Sequence, residues 1–284
     1  MTDVVTRARP APAPDFPELQ PWLRLYEEVR RGLAAPPWAR VTHAAAQADD
    51  APLLADAVIA VDVAPASRLL RGLFERAASA GPPATSLDAA RLTDDRALTL
   101  LDAAVAEDGQ RIGALALALG ADPGALGVVA ALGVMPLLHA CRRAPPTSVP
   151  EAWTHGYCPV CGGWPTLAEA RGVERTRRFC CARCGSDWAA GWLRCPYCSN
   201  ADHLRSAALV DGGSGPRHRV ETCEVCRGYV KTLTVLVATE PAEIALADFR
   251  SMALDLVAID HGYQRPAGPG RLSSTHLVAT GGPS

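Results

Sequence analysis

The sequence predicts an α+β protein in which an N-terminal all-α helical domain precedes two tandem metal-binding modules built on short strands, with a C-terminal helix after them. Two observations carry this. Apolar residues recur at spacings of three and four through the first half and again near the end, and four C-x-x-C pairs lie between Cys158 and Cys226. The chain divides into a flexible arm (1–17), the helical domain (18–143), a first four-cysteine module (151–192), a second four-cysteine module (193–238), the C-terminal helix (240–263) and a flexible tail (264–284).

At 284 residues, 49% apolar and 20% charged, the chain is long enough for two domains with a real core. Lys+Arg number 28 against 30 Asp+Glu, a net charge of −2, which removes the simplest argument for a nucleic-acid partner. All but one of the basic residues are arginine, the exception being Lys231. With so much Ala, Gly and Pro, this pattern reads as a GC-rich genome more than a selected chemistry.

The proline-rich start, MTDVVTRARPAPAPDF, has no apolar stretch of the secretory kind, so the expected location is cytoplasmic and the expected thiols reduced. Trp22, Tyr26, Val29 and Leu33 then mark a helix that Pro36-Pro37 ends. Further helical pieces are expected at 53–63, around Leu69, Leu70, Leu73 and Phe74, at 86–107 with Ser86 as its N-cap, at 112–119 and at 126–141. No strand alternation interrupts them. Residues 123–141 carry no charge over 19 positions, close to a bilayer's thickness. Gly124, Gly127, Gly133, Pro136 and the many alanines make this a buried helix instead, and no membrane span is expected. The run APPTSVP at 144–150 reads as a linker. After Pro241 the helical period returns in Phe249, Met252, Leu256 and Ile259, with Asp248 as a cap and Gly262 as the terminating residue.

The ten cysteines are the informative count. Eight form the pairs Cys158/Cys161, Cys181/Cys184, Cys195/Cys198 and Cys223/Cys226, with 19 residues between the first two pairs and 24 between the last two. Two C-x-x-C turns bring four thiolates onto one ion, so the pattern calls for two mononuclear tetrathiolate sites. Sequential pairing is the preferred assignment, and spacing alone leaves a crossed one open. Gly162 and Gly185 follow the first two pairs, where positive φ turns backbone N–H groups toward sulfur, so the first module reads as rubredoxin-like. Ser199 and Arg227 hold the equivalent places in the second, which reads as a looser variant, so the expected architecture is two tandem rubredoxin-like or zinc-ribbon-like modules. Redox dithiols come singly, and the usual run that binds an iron–sulfur cluster is more compact. Cys180 is expected as a spare thiol and Cys141 as core, while His155, His203 and His218 are left without a ligand role.

With four protein ligands each, such sites leave no position for water or substrate, which argues against a metalloenzyme and for structural or electron-transferring ions. Tetrathiolates select Zn²⁺ or Fe²⁺/Fe³⁺ without separating them. Residues 151–237 hold eleven basic and eight acidic side chains; two zinc tetrathiolates would turn that +3 into −1. Arg171, Arg175, Arg177, Arg178 and Arg183 cluster between the first pairs, as a solvated hairpin or a docking face for an acidic partner.

The segments GYCPVCG at 156–162, RFCCARCGSDW at 178–188, RCPYC at 194–198, CEVCRGYVKT at 223–232 and LDLVAIDHGY at 254–263 together resemble the formate dehydrogenase accessory protein FdhE family. The resemblance is sharp over 156–263 and architectural before it. It implies a cytoplasmic maturation chaperone with rubredoxin-like iron, capable of self-association. The expected partner is the catalytic subunit of a formate dehydrogenase exported by the twin-arginine route, bound before export. The alternatives are a rubredoxin-like electron-transfer protein and a zinc-ribbon module for nucleic acid.

Overall fold

The computed structural model describes residues 20–33, 39–41, 51–82, 84–143, 153–191, 194–210, 218–271 and 274–280. The expected arm at 1–17 and linker at 144–150 lie outside them. The α+β class and the largely helical first half are as the sequence predicts. Helix α1 (Gln20–Gly32) buries Leu25, Tyr26 and Val29. Helix α2 (Val63–Ala78) starts where Asp62 accepts from the Ala64 N–H. Helix α3 (Asp94–Val105) is capped by Thr93, and α4 (Gly109–Leu119) is capped by Asp108 and ends at the left-handed Gly120. Helix α5 (Pro123–Arg143) runs through the middle of the bundle. It is long and apolar enough to cross a membrane by length and composition, yet 72% of its most apolar window is buried inside the protein, as in the core helix of a folded domain.

Two expectations in this half need correction. The piece at 53–63 is not helical: after a turn, Val58–Val61 forms strand β2, with Ile59 and Val61 inward and Val58 outward. β-branched side chains at alternate positions suit a strand better than a helix. Ser86 caps no helix. Its Oγ accepts from the Asp122 N–H at 2.8 Å, and the segment before α3 is two 3₁₀ turns.

Strand β1 (Ala39–Val41) lies antiparallel to β2, and the third strand of this sheet, β9 (His276–Ala279), comes from the far end of the chain and runs parallel to β2. The expected tail at 264–284 therefore contains a structural strand. It is fixed to α3 by the Leu277 N–H donating to Asp102 Oδ1 at 2.8 Å.

The two cysteine-bearing stretches share one six-stranded sheet, in the order β5-β4-β3-β8-β7-β6. The first stretch supplies β3 (Leu167–Arg171), β4 (Thr176–Cys180) and β5 (Asp187–Ala189), the second β6 (Ser206–Leu209), β7 (His218–Cys223) and β8 (Tyr229–Val235). Their seam is the parallel β3–β8 pairing, Ala168↔Thr232 to Arg171↔Val235. The two modules are thus halves of a single layer. One face, with Ala168, Phe179, Trp188 and Val230, joins the core of the helical half. The other, with Leu167, Cys180, Val220, Tyr229 and Leu233, packs under the C-terminal helices.

That C-terminal segment is broken at Ser251 into α6 (Ile244–Arg250) and α7 (Met252–Asp260). It buries Ile244, Leu246, Leu254 and Ala258 and leaves Leu256 and Ile259 exposed, so the expected stripe is not the one that packs. Asp248 caps nothing: it sits inside α6 and binds Lys231 and Arg265, at 2.7 Å each. Gly262 takes φ 76° after α7, as expected.

Gly156 is fixed by the approach of the two modules, because a Cβ there would collide with the Pro196 carbonyl of the third C-x-x-C turn. Gly156→Ala is expected to lower the midpoint of thermal unfolding by several degrees, a cost of about 1–3 kcal/mol from overpacking against backbone. Scanning calorimetry on the metal-loaded protein measures it.

Candidate metal centres

All four C-x-x-C turns are built alike. The first cysteine's N–H donates to the carbonyl five residues on: Cys158 to Gly163, Cys181 to Ser186, Cys195 to Asn200 and Cys223 to Gly228, at 2.8–2.9 Å. Each turn also needs one residue with positive φ after its second cysteine. Gly162 (74°) and Gly185 (75°) supply it in the first module. In the second, Ser199 (60°) and Arg227 (56°) take the same conformation, so the second site keeps the rubredoxin-like turn despite its sequence. Arg227 is held there by the carbonyls of His261 and Gly262 and by stacking on the Tyr263 ring, 4.0 Å from its centroid. Ser199 has no such tether, and Ser199→Gly is expected to raise stability by up to about 1 kcal/mol through relief of the left-handed strain, read as a shift in urea midpoint.

The sulfurs converge in two groups, Cys158, Cys161, Cys181 and Cys184 in one and Cys195, Cys198, Cys223 and Cys226 in the other, all within 4.8 Å of one another inside each group. The structure therefore pairs neighbouring turns and not crossed ones. In the first centre Cys158 and Cys184 are 3.5 Å apart and Cys161 and Cys181 3.6 Å; in the second, Cys195–Cys226 and Cys198–Cys223 are each 3.7 Å. A disulfide needs about 2 Å. Four thiolates at metal–sulfur distances of about 2.3 Å in a tetrahedron stand about 3.8 Å apart. The donor sets thus fit one tetrahedral ion each, closed on all four sides.

The centres differ in surroundings. All four sulfurs of the first are buried, whereas in the second Cys198 is exposed and Cys226 half-exposed. Ser186 Oγ lies 2.9 Å from Cys158 Sγ and 3.0 Å from Cys184 Sγ, and the Val160 N–H donates to Cys158 Sγ at 3.4 Å. Arg183, between the two cysteines of its turn, leaves the sheet to donate to the carbonyls of Ala104 and Val105, at 2.7 and 3.0 Å, and to pair with Glu107 at 2.5 Å. It ends α3 as a cation at a helix C-terminus should. The first turn is gripped as well: the N–H groups of Leu53 and Leu54 donate to the carbonyls of Pro159 and Val160, and that of Arg271 to Gly162. The first centre is therefore the joint between sheet and helical half.

In the first centre the neighbouring thiols of Cys158, Cys181 and Cys184, with Arg183 behind them, hold the Cys161 thiol well below its ordinary value, while hydrogen bonding to Cys158, Cys161 and Cys184 pushes Cys181 up and burial pushes Cys184 up. One thiolate is thus favoured at the expense of its neighbours, and loading a cation would release the protons the others hold. In the second, burial pushes Cys226 up to about 11. Among the spare thiols, burial raises Cys141 to about 12 and also raises Cys180; neither joins a centre. His155 stacks on Tyr157 at 4.8 Å, and neither His155, His203 nor His218 joins the sulfurs.

Four of the five clustered arginines are paired within the fold, and Arg175 alone stays exposed, in the turn between β3 and β4. Arg171 and Arg178 share Asp187, Arg177 is bound to Glu221 and Arg183 to Glu107. Arg183, Ser186 and His139, which is buried against Gly185, are the supporting residues sequence reasoning missed. Of these, only Arg183 enters the sequence reading, as one of the clustered arginines. A chelator is expected to strip the protein in two phases, with the ion beside exposed Cys198 leaving first, as a colorimetric metal assay over time would show.

Fold and site together define an α+β metal-binding protein with two closed four-cysteine centres fused into one sheet. Residues 193–270 match the family model "FdhE, C-terminal domain". Among curated proteins, an FdhE homolog of Pseudomonas aeruginosa is 30% identical over 141 residues, covering 48% of this chain and 43% of the relative. One from Aquifex aeolicus is 30% identical over 121 residues, 40% of each. The chain thus aligns with less than half the length of either relative. The crystal structure of the FdhE protein from Pseudomonas aeruginosa shares the fold, with TM-score 0.58 and 24% identity over 90% of both chains. The domain match and the curated relatives support the FdhE family for this chain.

Proposed function

We propose that this chain is a non-enzymatic accessory factor for assembly of a respiratory formate dehydrogenase. In this reading it works in the cytoplasm and binds the catalytic subunit before twin-arginine export. The observation that carries the reading is the pair of closed four-cysteine centres in a chain whose C-terminal part matches FdhE. Neither centre keeps the open position that hydrolytic metal chemistry requires. Each would hold one Fe²⁺/Fe³⁺ or Zn²⁺; iron in such a site can carry one electron, zinc only shape. The protein's own residues bury the first centre and present Cys198 of the second to solvent.

The test is affinity capture of the tagged chain from its native host, grown so that the dehydrogenase is made, with partners identified by mass spectrometry. Recovery of the formate dehydrogenase catalytic subunit still carrying its signal peptide is expected. Its absence, with formate dehydrogenase activity unchanged in a deletion strain, would sink the reading. The exposure of Cys198 favours one second reading, rubredoxin-like electron transfer. A reversible iron couple that exchanges electrons with a purified partner would support it, and zinc in both centres after iron-replete growth would remove it.

A further inference from the structure

A cavity of about 250 Å³ opens beside the second centre, on the sheet face turned toward the helical half. Its floor is Arg219 and Glu221 of β7 and Arg177 of β4, and its wall is the Arg194–Tyr197 stretch. Arg177 reaches β7 because its own pairing partner on β3 is the small Ala170.

The guanidinium and carboxylate groups that line this cavity do not pair one to one. Three guanidinium groups face one carboxylate, and both oxygens of Glu221 are already taken, Oε1 by Arg219 at 2.8 Å and Oε2 by Arg177 at 2.7 Å. Arg177 is only 4% exposed; it gives Nη1 to the carbonyls of Gly191 and Arg194, and its buried Nε has no partner. Arg194 lies at the exposed mouth, and its side chain makes no ion pair or hydrogen bond among the described residues. The remaining walls are largely apolar, chiefly Pro196, Tyr197 and Val230.

Among the described residues, the cavity's arginines make no hydrogen bond to the sulfurs of the second centre, whose contacts are with one another and with Asn200. Cys195 and Cys223 touch the cavity, but Cys198 and Cys226 do not. Arg219 already gives Nε and Nη2 to Glu221 Oε1, at 3.2 and 2.8 Å, and keeps Nη1 for a further acceptor. The unpaired Arg194 beside that N–H, over apolar walls, is an arrangement that recognises an oxyanion on an organic body, since guanidinium N–H groups bind carboxylate or phosphate and the walls strengthen the attraction.

We propose that this cavity is a binding site for a small organic anion, its carboxylate or phosphate held by Arg194 and Arg219 and its apolar body set against Tyr197 and Val230. The site is independent of the accessory-factor reading and can stand or fall without it.

Titration calorimetry on the full-length, metal-loaded protein tests it with benzoate, phenyl phosphate and neutral benzyl alcohol. Saturable one-to-one binding of at least one anion is expected, with benzyl alcohol weaker by about tenfold or more. Binding of benzoate alone or of phenyl phosphate alone supports the site and assigns its head group. Arg194→Gln removes a side chain with no structural partner, so metal content and circular dichroism should stay unchanged while anion affinity falls about tenfold. Arg219→Gln should weaken binding in the same direction. Anion binding no tighter than that of benzyl alcohol, or affinity unmoved by Arg194→Gln, would overturn the proposal.

Discussion

Cys181→Ser is expected to cost the protein its first ion and, with it, the packing of both halves of the chain. The centre's sulfurs are buried within the same apolar cluster as Leu70, Phe74, Leu101 and Leu138 of the helical half. Its turns are bound to 53–54, to the end of α3 and to Arg271. A structural tetrathiolate ion contributes about 10 kcal/mol or more, comparable to the whole stability of a typical domain. The variant should therefore show collapsed near-ultraviolet dichroism from buried Trp153 and Trp188 and a large loss of soluble yield. Cys198→Ser, at the exposed rim of the second centre, should lose one ion and keep that signal. On spacing alone the helical half is expected to survive the Cys181 change, because the two halves read as separate domains; the shared core reverses that expectation. A Cys181→Ser protein with native dichroism and cooperative unfolding would refute the joint.

The second large effect is expected at Lys231, the chain's single lysine. Its side chain is fully buried, and its ammonium is held by Asp248 Oδ1 at 2.7 Å, Asp255 Oδ2 at 2.6 Å and the Asp248 carbonyl at 2.7 Å. Arg265 completes the group on the same two carboxylates, at 2.7 and 2.9 Å, and the Tyr229 hydroxyl donates to Asp255 at 2.8 Å. Two cations and two anions balance. Burial alone would raise the Asp248 carboxyl, but Arg265 and Lys231 together hold it below its usual value. The contribution is therefore fully present at neutral pH and is lost only as pH falls through that lowered value. Removing one partner of such a buried set costs about 3–5 kcal/mol, so Lys231→Ala should lower the urea midpoint steeply and release α6 and α7 from the sheet, read as faster amide exchange in 244–260. Lys231→Met keeps most of the volume and should lose less. Equal midpoints for wild type and Lys231→Ala would contradict this role.

Much of the fold was legible because its signals are local. Helices α1, α2, α4 and α5 follow their apolar spacing, and the eight cysteines announce two sites by residue type and interval alone. Non-local structure was not legible. Strand β2 looks helical in sequence because Leu53 and Leu54 before it extend a helical stripe, while its partner β9 lies more than two hundred residues away. The fusion of the two modules rests on β3 lying parallel to β8, a pairing no interval reports. Ser199 and Arg227 mark the limit of residue type as a guide: two residues that ordinarily avoid positive φ adopt it because the turn around the sulfurs demands it. The arginine cluster reads as a surface charge run for a similar reason: Glu107 and Glu221, which neutralise Arg183 and Arg177, come from segments far along the chain, and only Arg175 keeps the exposure that the run suggests.

The most direct test of two separate closed centres is the metal content of the purified full-length protein, with acid-labile sulfide assayed on the same sample. Two ions per chain and no sulfide are expected, falling to one ion in Cys198→Ser. One ion per chain in the unmodified protein, or sulfide in proportion to iron, would contradict the account.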